Sequence, residues 1–164
     1  MAELARDIED LLVAIDETQA ALAGVYRDKR VAIRHANGPG LDRLTTIEET
    51  LVADLQVHLR RREEILQHAR QLGLPADSLS SVVRTFDEPL RERLIAQIEE
   101  TRRTADANRR ESWILWIVCK QSLRFFSDVL ELIANGGRRA PIYLARPGAV
   151  AELSTGGSLL DAQA

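Results

Sequence analysis

The chain has 164 residues, 45% of them hydrophobic and 29% charged, with a net charge of −3. That length fits one domain with a modest core, and the composition is that of a helical soluble protein. The near balance of 22 basic and 25 acidic side chains gives no whole-chain field for nucleic acid, and a single cysteine excludes an internal disulfide or a cysteine-rich zinc site.

The N-terminus, MAELARDIEDLL, is acidic and amphipathic, without the basic start and apolar core of a secretion signal. Leu4, Ile8, Leu11, Ile15, Thr18, Leu22 and Val25 recur at alternating spacings of four and three, a heptad seam with Thr18 as its one polar member. Acids early in the segment and bases late in it (Arg27, Lys29, Arg30, Arg34) complement a helix dipole. Asn37-Gly38-Pro39-Gly40 supplies a stop, so the first helix is expected over about residues 3–35.

A second helix is expected over about 41–71, with Leu44, Ile47, Leu51, Leu55, Leu59, Leu66 and Ala69 as its apolar stripe. Thr46 and Glu49 would form a capping box if it began later. Gly73 and Pro75 end it, and two long helices with a short turn should form an antiparallel hairpin. Residues 77–86 read as a short amphipathic helix capped by Asp77 or Ser78. Asp87-Glu88-Pro89 then reads as the cap and first turn of a long helix over 88–134, free of glycine and proline from Leu90 onward. Its seam runs through Leu94, Ile98, Thr101, Ala105, Asn108, Ser112, Leu115, Cys119, Ser122, Phe126, Val129 and Ile133, every step four or three. The small and polar residues from Thr101 to Ser112 would allow close helix approach, with Asn108 fixing register.

The expected fold is therefore all-α: an antiparallel hairpin, a short helix and a long C-terminal helix in a coiled-coil-like bundle, a single domain over 1–148. Residues 149–164, small, polar and glycine-bearing, are expected to be a disordered tail.

Aromatic residues are only 4% of the chain, yet 107–148 holds both tryptophans, two of three phenylalanines and the lone cysteine. Beyond Ser112 the long helix is apolar on more than one face: Trp113, Ile114, Ile117, Val118, Phe125, Phe126, Val129 and Leu132 cannot all pack against one neighbour. They are the candidate binding residues for another protein's amphipathic helix. Burial in the chain's own core and dimerisation through the same surface are the alternatives. The longest apolar run, 113–119, is seven residues, whereas a membrane span needs about 20. No membrane insertion is expected, and the chain is expected to be cytoplasmic.

Nothing in the sequence provides for catalysis. His35, His58 and His68 lack the three- or four-residue spacing that puts two metal ligands on one helical face. There is no phosphate loop, nucleophile elbow or HExxH helix, so no enzyme activity, cofactor or metal is expected. Cys119 reads as a small buried hydrophobe. The pairs Arg102-Arg103 and Arg109-Arg110 interleave with Glu99, Glu100, Asp106 and Glu111, which favours a solvated face over nucleic-acid binding.

The order of elements, with a second helix ending in LGLP and a long last helix, resembles the FlgN family of flagellar type III export chaperones. The local resemblance lies in Asn108, the Trp113-Ile114-Leu115 that follows, and a later proline-bordered tyrosine in Ala140-Pro141-Ile142-Tyr143-Leu144-Ala145-Arg146-Pro147-Gly148. The chain departs from the family pattern at Glu111, where a second Asn is usual, and at Leu144, where Gly is common. The resemblance implies a chaperone that binds the C-terminal amphipathic helix of hook–filament junction proteins of the FlgK and FlgL type and brings them to the export gate. It implies substrate contacts on the C-terminal half of the last helix. It also implies that Tyr143, within a docking segment over 138–148, engages the cytosolic domain of the gate protein FlhA.

Overall fold

The structure is a computed structural model, and it describes residues 1–135. Those residues are all-α: α1 (Ala2–Arg34), α2 (Gly38–Gln71), α3 (Leu79–Val83) and α4 (Leu90–Ala134). The docking segment over 138–148, with Tyr143, and the tail over 149–164 lie outside the described residues. Two compact units meet inside α4, Met1–Trp116 and Ile117–Ala164, and each is treated in turn.

The α1–α2 turn is tighter than the sequence pattern implies. Asn37 N–H donates to Ala32 O and Ala36 N–H to Ile33 O, closing α1 with a Schellman-type cap. The left-handed residue of that cap is Ala36 (φ 50°), not Asn37 or Gly38. Asn37 instead caps α2: its Oδ1 accepts from Gly40 N–H at 3.0 Å. Helix α2 thus starts at Gly38 rather than near residue 41, taking Pro39 into its first turn, where a missing N–H costs nothing. Gly40 is needed there, since a Cβ would lie 2.5 Å from the Asn37 side chain. Thr46 is interior to the helix, its hydroxyl donating to Asp42 O.

At the far end of α2, Gly73 takes the left-handed position (φ 74°) and Leu74 N–H returns to Ala69 O. Ser78 and Ser81 form a reciprocal capping box on α3, which is shorter than the expected 77–86. Helix α4 begins at Leu90, after Pro89 rather than with it.

In the first unit, α1 is the central helix. Its cross-links to α2 run in opposite senses along the two chains: Arg61 to Asp7 at 3.1 Å, His58 to Thr18 at 3.2 Å, then Lys29 with Glu48. Its cross-links to α4 rise together: Arg93 with Glu9, Thr101 to Asp16, Asn108 to Gln19, Arg30 with Glu111. Helix α2 is therefore antiparallel and α4 parallel to α1. Serving two neighbours widens the buried face of α1 beyond its seam, adding Leu12, Gln19 and Tyr26.

The main core joins Leu4, Ile8, Leu11 and Leu12 to Ile65, Leu66 and Ala69 of α2. Val82, Val83 and Phe86 come from around α3, and Leu94 and Ile98 from α4. A smaller cluster pairs Leu22 and Tyr26 with Leu115, with Leu51 and Leu55 packed at its edge. The α2 stripe is incomplete: Leu59, between the two clusters, and Ile47, beyond the smaller one, are exposed, and only Ile65, Leu66 and Ala69 of its apolar side chains are buried.

Candidate functional site

Helix α4 runs unbroken for 45 residues because nothing within it removes a backbone donor or favours a turn. Its first 26 residues are held down. Leu94 and Ile98 enter the main core. Thr101 Oγ1 donates to Asp16 Oδ1 at 2.7 Å, and Asn108 Nδ2 donates to Gln19 O at 2.9 Å in a buried setting. Asn108 thus sets the register of α4 on α1, by a bond that only one axial position satisfies. The expected close approach at Ala105 does not occur: Ala105 is exposed and lines an open groove. Leu115, 7% exposed, is the last buried residue on the helix.

Tyr26, which packs with Leu115, is the one group among the described residues with a displaced ionisation. Burial pushes its hydroxyl above the ordinary value, the Ser112 hydroxyl pulls it back in part, and the Glu48 carboxylate adds to the rise. Beside it Trp113 and Trp116 stack with ring centres 5.0 Å apart and planes 16° from parallel. Trp113 is 60% exposed, and Ile114 and Trp116 are exposed as well.

In the second unit none of the described residues of α4 is buried, and most of its large apolar side chains are exposed. Ile117, Val118, Phe125, Phe126 and Leu132 are exposed, while Val129 is half-buried. Cys119 is half-buried too, not the buried hydrophobe the seam suggests. Phe125 and Phe126 meet edge to face at 6.0 Å. At 100° per residue, Lys120, Arg124, Asp128 and Glu131 fall within about 80° of arc, and an apolar sector of about 180° runs from Leu132 round to Leu123. A core-facing helix needs a stripe of only about 100°. Ile117 falls inside the charged arc and lies apart from that sector.

Sequence reasoning missed part of this surface. Trp116, Leu123 and Leu130, at seven-residue intervals in the sequence, are each exposed, and Ile133 is exposed although it lies on the seam. The seven-residue repeat was present in the sequence as the signal. Leu130, 65% exposed, is as open as any aromatic here.

No cluster of His, Cys, Asp or Glu able to hold a metal occurs among the described residues, and no helix among them is long and apolar enough to cross a membrane. What this arrangement can do chemically is bury apolar surface against a partner. No family model, curated protein or solved structure matches the chain.

Proposed function

We propose that the chain is a FlgN-like flagellar export chaperone, a cytoplasmic binding protein rather than an enzyme. Its partner is the C-terminal amphipathic helix of a hook–filament junction protein of the FlgK or FlgL type. The observation that carries the reading is the exposed apolar sector of α4, with Phe126 and Ile133 at its centre and Phe125 and Leu130 on either side. A partner helix laid along it, contacting Trp113, Ile114, Val118, Phe125, Phe126, Val129 and Leu132, would remove apolar surface that water otherwise wets. Burial of about 600 Å² at ~25 cal/mol/Å² gives a gross gain of ~15 kcal/mol, much of it offset by lost freedom and ordering. The remainder suits a reversible complex, which a delivered cargo requires. Tyr143 is assigned to docking on the cytosolic domain of FlhA, on the strength of the family resemblance.

The test is amide exchange with and without a FlgK- or FlgL-type C-terminal peptide. Protection should appear across 113–133 at saturating peptide, and its absence there refutes the reading. Phe126→Asp should abolish the protection with the fold intact, and Tyr143→Ala should lower export while leaving peptide affinity unchanged. A second reading is self-association, since an apolar sector of about 180° is also complementary to its own copy. Sedimentation over a wide concentration range decides it: a monomer throughout removes the self-associating scaffold.

A further inference from the structure

Two adjoining cavities in the first unit, of about 880 and 310 Å³, both touch Gln19, Leu55 and Ala105 and so form one trough. Its floor is α1, and its walls are α2 and α4, both of which contribute side chains to the main core and to the smaller cluster around Leu115. On α1 the trough extends from Leu12 to Tyr26. Fourteen residue steps at 1.5 Å give it a length of about 21 Å, or four helical turns. Its apolar lining includes Leu12, Leu22 and Val52, so it suits the apolar face of a helix.

The rim is basic although the chain as a whole is acidic. Arg62, Arg102, Arg109 and Arg110 border it, against Asp106 as the one acid. Among the described residues Arg62, Arg109 and Arg110 form no ion pair. In the middle of the trough Gln19 is 5% exposed, and its Oε1 accepts no hydrogen bond. An acceptor left in this way is costly, and a docked donor would remove the cost.

We infer that the trough is a docking site for an amphipathic helix of about 14 residues from another protein, with acidic side chains flanking its apolar face. Such a helix would complete a four-helix bundle over α1, its carboxylates reaching the arginines on both walls. A second copy of this chain does not match that description. The exposed apolar stretch of α4, from residue 117 on, carries Lys120 and Arg124 against Asp128 and Glu131 and is neutral. The trough ends on α4 at Trp116, so it shares Trp113 alone with the residues assigned to an export cargo and none of those from Val118 to Leu132.

The experiment uses the full chain and three synthetic 15-residue helical peptides: leucine-faced with glutamate flanks, the same with lysine flanks, and glutamate-flanked with serine in place of leucine. The first should bind at least tenfold tighter than either of the others. Ala105→Trp, which fills the trough from an exposed helical position, should weaken it at least tenfold, and Arg102→Glu with Arg109→Glu should reverse the preference between acidic and basic peptides. Helical circular dichroism checks that each variant folds. Equal binding of the lysine or serine peptide, no binding of any peptide, or indifference to Ala105→Trp overturns the inference. So does a dimer that Ala105→Trp dissociates, since the occupant would then be a second copy. Loss of binding on Phe126→Asp in place of Ala105→Trp also overturns it, and leaves the export-chaperone reading standing.

Discussion

The two halves of α4 invert the usual relation between hydrophobicity and burial. Residues 90–115 are rich in arginine and glutamate, yet Leu94, Ile98, Thr101, Asn108 and Leu115 are all buried. Residues 116–134 are the more apolar stretch, and not one of them is buried. Burial is decided by the presence of a neighbour. The first half meets α1 with a few well-placed side chains, whereas the second displays far more apolar surface than any folding contact on view uses. Surface kept in that form is a mark of an interaction site.

This contrast can be broken, starting with the largest effect. Leu94→Ala opens a cavity in a residue that is 0% exposed and should cost about 3 kcal/mol of unfolding free energy in urea denaturation. Asn108→Ala removes the bond to Gln19 O, while that carbonyl keeps its place in the α1 ladder, so the loss should be about 1 kcal/mol. Phe126→Asp, 59% exposed, should change stability by less than about 0.5 kcal/mol in the same measurement. A cost as large as that of Leu94→Ala would place Phe126 in a core and cancel the comparison.

Tyr26 provides a pH-dependent check on the boundary. Its folded ionisation lies above its ordinary value of 10.0, so the folded chain holds the phenolic proton more tightly than the unfolded one. The stabilisation is complete below that pH and is lost as pH rises through the higher folded value. Thermal unfolding in alkaline buffer should therefore show a smaller loss for Tyr26→Phe than for the native chain. An identical decline would mean that Tyr26 is not enclosed beneath Leu115.

Much of the fold was legible in the sequence because helices announce themselves by periodicity. The seams of α1 and α4 recur every three or four residues, and glycine, proline and asparagine punctuate them. The errors have local causes. Asn37 is at once the end of one cap and the start of the next, so a pattern that separates helices by a loop places α2 three residues late. Ile47 and Leu59 fit the α2 stripe in spacing, but a helix stripe does not disclose how far a third helix stands away, and here α4 leaves them open. Gln19 and Leu12 lie beside the seam of α1. Their burial follows from α1 having two neighbours, which spacing along one helix does not encode. The apolar excess of α4 was visible as composition, whereas Trp116, Leu123 and Leu130 needed the seven-residue repeat to be read off the seam.

The stacked indoles of Trp113 and Trp116 have an optical consequence. They are the only tryptophans in the chain, and both border the trough while sitting at the threshold of the exposed sector. Parallel rings 5.0 Å apart couple their electronic transitions, so the pair should give a near-ultraviolet circular dichroism band with no background from other indoles. A helix entering from either side would alter that stack. The unlabelled protein thus carries its own gauge of occupancy, and Trp116→Phe should silence the gauge while leaving the Trp113 emission to report solvent exposure alone.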